Sequence, residues 1–340
     1  MKKILTLVTC IFLLIITIIY SYVITDYLAF FVGQNHETII YNDNNYTKNT
    51  DYLFVQESKD YVPYSYQDIL NIFYSILDHH WDTFTIYCPY EYTKCISDTQ
   101  KIINDEAVRT HLNNYVHPFN TYTNIKTTIS RTGEITLKIK YLYNEEQMEK
   151  ISTRVDEIIA KIIKDDMSDY EKIKTVHDYI INNSKYDVAR SNNQRSVYDS
   201  ALAYGPLFQG YATCNGYTDL MAIFLTKMGY NNYKIATTPE ELNNITINSF
   251  WTALYYKFLH GYTIQKETES NTGHIWNAVY LNNKWLHIDL TWDDPVSTDG
   301  NDYLFHTYFL VTTESMHEAD KGQTVIKEHN FNSLYYLEFN

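Results

Sequence analysis

At 340 residues the chain is long enough for one large domain or two smaller ones, and with 45% hydrophobic residues it can build a sizeable core. A formal net charge of −14, with no stretch that gathers Lys and Arg on one face, argues against nucleic acid and against anionic surfaces as partners. Tyrosine is abundant at 34 residues, but beside frequent Asn, Ile and Lys this reads as a compositional bias of the genome rather than as the lining of a groove.

Met1-Lys2-Lys3 precedes an almost unbroken apolar run from Ile4 to Ile24. About 20 apolar residues cross a bilayer core of roughly 30 Å as a helix, so residues 1–25 are predicted to form a signal anchor or transmembrane helix. Lys2 and Lys3 before the run and Asp26 after it keep the N-terminus inside and export the rest. The expected location is therefore the cell membrane, single-pass, with the folded part extracytoplasmic. A secreted form with a cleaved signal is the alternative, disfavoured because the run is long and no small-x-small site follows it. Cys10, early in the run, reads as a membrane-buried thiol. Residues 26–60, polar and without apolar periodicity, are expected to be a stalk.

Within 66–77, Ile69, Leu70, Phe73, Ile76 and Leu77 recur at helical spacing, and 81–87 reads as a strand. A second helix is expected over 97–113, and a hairpin over 125–130 and 134–142 around Thr132-Gly133. Residues 61–143 are thus assigned to a small α+β accessory domain. Cys88 and Cys95 are disulfide candidates in an exported protein, a reading balanced evenly against two free thiols. His79, His80, His111 and His117 lack zinc-ligand spacing with them, and neither a metal nor a cofactor is expected.

The second domain spans 144–340. Asn144 with Gln147, and Ser168 with Glu171, resemble capping boxes that open two amphipathic helices. His177 and Asp178, on the second, read as surface or packing residues. Further on, Tyr217, Leu220, Met221, Phe224, Leu225 and Met228 define a buried helix that starts at or just before Cys214 and stops at Gly229. A thiol at a helix N-terminus lies beside unpaired N–H groups and the positive end of the dipole, and both favour the thiolate.

A strand is expected over 233–237. Residues 274–281 and 284–292 then alternate as two strands about a two-residue Asn282-Asn283 turn. That register pairs Leu281 with Lys284 and puts His274 and Asp289 on one face as diagonal neighbours. A carboxylate that fixes one imidazole nitrogen frees the other to take a thiol proton. Cys214, His274 and Asp289 therefore compose a nucleophile, base and orienter.

Ala212-Thr213-Cys214-Asn215-Gly216-Tyr217, followed by His274-Ile275-Trp276-Asn277 and by Trp285 through Asp289 to Pro295, resembles the bacterial transglutaminase-like (transglutaminase/protease-like) superfamily over about residues 168–320. The resemblance implies an α+β fold with a papain-like core and a Cys-His-Asp catalytic triad at Cys214, His274 and Asp289. It leaves the second oxyanion-hole donor open beside the Cys214 backbone N–H, with Gln209 as a candidate. The 238–273 stretch is longer than the family needs and is expected to wall or cover the cleft. Strands are further expected over 308–312 and 334–339.

The chemistry implied is attack on an amide or peptide carbonyl through a thioester. Hydrolysis, as a cysteine protease or amidase, stands slightly ahead of transfer to an amine, as a cross-linking transglutaminase. A non-catalytic surface binding module is the alternative from another class. The expected partner is a protein or peptide substrate, cell-wall peptide being within reach of an exported site.

Overall fold

The computed structural model of the protein describes residues 2–33, 51–130, 133–192, 194–237, 273–296, 302–321 and 328–340. The segment expected to cover the cleft lies outside the described residues except for Gly273, as do most of the first part of the expected stalk and the tip of the 130–134 hairpin. The N-terminal run is one helix, α1 (Lys2–Gly33), and its apolar side chains from Leu7 to Tyr20 are largely exposed. Within the described residues no helix is long and apolar enough to cross a membrane. The membrane anchor thus rests on the sequence.

The stalk expectation needs correcting at its second end. Tyr52 and Val55 are buried, and Tyr52 packs against Tyr115, Tyr233 and Trp285. Apolar side chains scattered in a polar stretch carry no periodicity, yet each can fill a gap on a surface formed by other elements.

In the accessory region Ser65 caps α2 (Tyr66–Asp78), and β1 (Thr83–Tyr87), β2 (Tyr122–Ile129) and β3 (Glu134–Tyr141) form an antiparallel sheet in the order β1-β3-β2. The helix expected over 97–113 is two: α3 (Cys95–Asn104) ends where Asp105 turns to cap α4 (Glu106–Asn114), its carboxylate accepting from the Val108 N–H at 3.1 Å. Cys88 and Cys95 are joined by a disulfide, Cα atoms 5.7 Å apart, which decides the question the sequence left even.

The larger region is built on a four-stranded antiparallel sheet in the order β6-β7-β8-β9, comprising Asn232–Thr237, His274–Leu281, Lys284–Ile288 and Phe309–Val311. One face meets α5 (Glu145–Ile162), α6 (Asp169–Asn182) and, beyond the single turn α7 (Val188–Ser191), α8 (Cys214–Lys227) through Val279, Leu281, Leu286 and Ile288. The other, with Tyr233, Ile235, Trp276 and Ala278, meets the accessory helices. The two expected domains therefore share the sheet as a common wall, and alternation along β6 and β7 sends successive side chains to different cores. Both capping boxes are present. The strand expected over 334–339 is instead a turn and a 3₁₀ helix, Leu337–Phe339. Tyr336 is buried there between α4 and β6, its hydroxyl within 2.7 Å of His111 Nδ1, 2.7 Å of Asn114 Nδ2 and 2.9 Å of the Ala236 N–H. An extended backbone would pair with a neighbouring strand rather than drive that ring inward.

Helix α8 is fastened by buried polar contacts. Asp219 accepts from Lys234 of β6 at 3.1 Å and from the Tyr143 hydroxyl at 2.7 Å. At its N-terminal end the backbone comes so close to the preceding loop that a Cβ on Gly216 would lie 2.2 Å from the Ser200 carbonyl oxygen. Gly216→Ala is expected to cost about 3 kcal/mol, since the clash is with backbone, measured as a lower urea midpoint at unchanged m-value. Replacing Cys88 and Cys95 together by Ser should cost about 2 kcal/mol by the chain-entropy argument, while the alkylation rate of Cys214 stays at the wild-type value.

Candidate active site

The thiol is positioned by a small framework of short elements. β4 (Lys185–Tyr186) runs parallel to β5 (Tyr211–Ala212), pairing Tyr186 with Ala212, and the Asp187 N–H donates to the Ala212 carbonyl at 2.8 Å. The buried Asp187 carboxylate accepts from Ser196 Oγ at 2.5 Å and Ser200 Oγ at 2.6 Å, and the Ser200 carbonyl accepts from the Thr213 N–H at 2.8 Å. These contacts lock the loop before α8. Thr213 occupies the N-cap in extended conformation without a side-chain capping bond, and Cys214 is the first helical residue, half-buried and not in a disulfide. The N-cap side chain thus leaves the first-turn N–H groups of α8 without a capping hydroxyl.

The hairpin forms in the expected register. Leu281 pairs with Lys284 and Tyr280 with Trp285, and Asn282 and Asn283 take φ of 52° and 62° as a type I′ turn requires. The second strand is shorter than expected, because β8 ends at Ile288 and Asp289 becomes the N-cap of a short helix, Leu290–Asp293. That change fixes the carboxylate. Its Oδ1 accepts the N–H groups of Thr291 at 2.8 Å and Trp292 at 3.2 Å, while Oδ2 hydrogen-bonds His274 Nε2. His274 is the first residue of β7, opposite Thr237 in the last pair of the β6–β7 ladder, and its Thr237-facing N–H bonds that hydroxyl at 3.1 Å. Its ring stacks on Trp276 and neighbours Cys214, which favours the protonated ring. The structure therefore brings Cys214, His274 and Asp289 together.

The electrostatics suit an ion pair. Burial opposes charge on His274, but the Asp289 charge and hydrogen bond, neighbouring Cys214 and the Glu328 charge outweigh it and hold the imidazolium well above the ordinary histidine range. Burial likewise opposes charge on Asp289, and His274 and His329 overcome it and hold the carboxyl well below the usual range.

Four neighbours escaped the sequence reading. His329 Nε2 bonds Asp289 Oδ2 at 2.9 Å and its Nδ1 bonds Asp320 Oδ1 at 2.8 Å. Glu328, partly exposed, has Oε2 3.8 Å from His274 Nδ1 and accepts from the Trp292 indole at 3.2 Å. Tyr186 lies beside Cys214, and burial, with the charges of Cys214, Glu328 and Asp289, keeps its phenol protonated. His287, behind Trp276, is pushed down to about 3 by burial and by the charges of His329 and His317. It stays neutral, accepts from the Trp276 indole at 3.1 Å and donates from Nε2 to Thr313 Oγ1 at 3.0 Å. His329 and Glu328 follow an unpatterned tail, so no spacing rule could have found them.

Gln209 does not join the site as expected. Its Oε1 accepts from the Asp199 N–H at 2.7 Å and its Nε2 donates to the Asp199 carboxylate at 3.4 Å, so its amide is turned toward that loop. His177 and Asp178 do more than pack. Fully buried His177 places Nδ1 3.0 Å from Asp178 and Nε2 3.2 Å from Asp293, and His306 bonds the same Asp178 oxygen at 2.6 Å. They tie α6 to the helix that Asp289 opens. Among the described residues this trio and His274, Asp289 and His329 have spacings that would admit a metal ion. In the first, Lys174 already pairs with Asp178; in the second, the ring nitrogens that face the carboxylates hold protons.

Part of the chain is similar to known proteins. A sequence model of the Transglutaminase-like superfamily matches residues 156–290. The mouse and human proteins named Kyphoscoliosis peptidase are each 21% identical, over 174 and 172 residues, or 50% and 49% of this chain. The chain spans only 23% and 22% of their lengths. The solved structure of a TGase aligns with 62% of this chain and 51% of its own at 13% identity, with a TM-score of 0.32. Residues 156–290 are therefore similar to the Transglutaminase-like superfamily, and in this protein that stretch combines helices with an antiparallel sheet.

Proposed function

We propose that the protein is a cysteine enzyme acting on amide or peptide bonds, with Cys214 as nucleophile, His274 as acid and base, and Asp289 as orienter. The observation that supports this most is the hydrogen bond from His274 to the fixed Asp289 carboxylate, on an imidazole whose proton affinity is raised in part by neighbouring Cys214. The thiolate forms a bond from Sγ to the carbonyl carbon, and the oxyanion is received by first-turn N–H groups of α8. The C–N bond then breaks as His274 Nδ1 gives its proton to the departing amine. In the second half, water loses a proton to His274 and bonds the acyl carbon, the C–S bond breaks, and the acid leaves. Hydrolysis agrees with the word peptidase in the relatives' name. The N-terminal run is read as an anchor that holds this domain on the extracytoplasmic side, where cell-wall peptide and surface protein are substrates within reach.

A second reading, transfer of the acyl group to an amine, is favoured by Glu328. A partly exposed carboxylate 3.8 Å from the nitrogen that handles the proton is a seat for a substrate ammonium group.

In full-length protein offered amide substrates, wild type should form a thioester at Cys214 seen by intact-mass measurement, and Cys214→Ala and His274→Ala should form none. Full biological activity in Cys214→Ala would leave only a binding module. With a lysine-like amine and water in competition, release of free acid alone supports the hydrolase, whereas an amine adduct supports the transferase. If Glu328 seats the amine, Glu328→Gln should lower adduct yield roughly tenfold, on the order of 1.4 kcal/mol, and change free-acid release much less.

A further inference from the structure

We propose that His329 is a positioning residue of this site, which clamps the Asp289 carboxylate and sets the strength of its hold on His274. The inference rests on the reading of Cys214 and His274 as nucleophile and base.

Geometry carries it. His329 is fully buried, and both of its nitrogens meet carboxylate oxygens, Asp289 Oδ2 at 2.9 Å and Asp320 Oδ1 at 2.8 Å. Ionised carboxylates only accept, so both nitrogens must donate, and the ring is an imidazolium. The Tyr308 hydroxyl donates to the same Asp320 oxygen at 3.1 Å and fixes it from behind. Four rings close the cage around His329: His274 and Trp276 of β7, Trp292 of the short helix, and Tyr308 before β9, with centroids 4.9–5.8 Å away. Asp289 then has no free direction. Two backbone N–H groups hold Oδ1 and two imidazoles hold Oδ2, so the carboxylate cannot rotate away from His274.

The charge of His329 has a second effect. The ionisable groups facing it are Asp289 and Asp320, which raise its affinity for a proton, and His274, which lowers it; His287, also near, is neutral. A positive ring behind Asp289 offsets part of the carboxylate's charge. His274 is therefore a less avid cation, and the thiolate sits in a less negative field, than Asp289 alone would give. Removing that charge raises the proton affinity of both groups: the thiol becomes harder to ionise and the His274 imidazolium harder to deprotonate.

The test follows alkylation of Cys214 by iodoacetamide in the full-length protein, read as modified Cys214 peptide by mass spectrometry across pH 4 to 10. In His329→Gln, which keeps an amide donor toward Asp289 but no charge, the inflection for thiolate formation should move up by about half a pH unit. A folded His329→Gln protein with an unmoved inflection, even one with a lower Tm, overturns the inference and leaves His329 as packing. Should that variant not fold, ¹⁵N-histidine spectra of the wild type decide. Protons on both His329 nitrogens at pH 8 support the inference, and a neutral tautomer overturns it. Failure of the underlying reading looks different: Cys214 in the wild type would then alkylate with the inflection of an ordinary thiol, near pH 8.5.

Discussion

The Asp289 carboxylate is the constraint on which the site depends. An acceptor in this position can align an imidazole only if it cannot turn, and here every direction is taken by a donor: two main-chain N–H groups at the start of a helix and two histidine rings. The helix start supplies partial positive charge as well as hydrogen bonds, which helps keep a fully buried carboxylate ionised. Burial alone would protonate it, and the orientation of His274 would be lost with the charge.

The architecture brings the three groups together from well-separated parts of the chain. Cys214 opens α8, which is held to β6 by the buried Asp219–Lys234 pair and, through Tyr143, to the backbone N–H of Ala203. His274 opens β7, and Asp289 directly follows β8 as the cap of the short helix. The paired sheet sets the distance between the last two, and the helix packing under it sets the first. A buried ion pair contributes little net stability, because desolvation offsets its attraction. Its geometric demand is strict, however, and a helix whose first residue carries the thiol needs that strictness.

The accessory region and the C-terminal tail act on the same sheet from its other face. Aromatic rings of Tyr52, Tyr115, Tyr233 and Trp285 form the joint, with Tyr115 stacked on Tyr233 at 4.7 Å. Tyr336 fastens the tail to α4 and β6, and the described tail begins with Glu328 and His329 at the site. A region that reads as a separate domain in sequence is therefore the wall behind Trp276, the residue on which His274 rests. The abundance of tyrosine, whatever its origin in composition, is used at this joint.

Much of this was legible in one dimension where the signal is periodic or local. The spacing from Tyr217 to Met228 fixes a buried helix under Cys214, the capping boxes fix the starts of α5 and α6, and Asn282-Asn283 sets the pairing parity that puts His274 and Asp289 on one face. Those facts follow from the sequence by itself because they depend on neighbours within a few residues, or on a two-residue turn that propagates its register along both strands. What only tertiary structure decided has the opposite character. That Asp289 leaves the strand to cap a helix, that Gln209 turns to Asp199, that Tyr52 is core rather than stalk, and that His329 and Glu328 arrive from the far end of the chain all depend on contacts between segments with no shared pattern. Hydrogen bonds and packing of that kind are chosen by the space the rest of the fold leaves open, and no spacing along the chain encodes it.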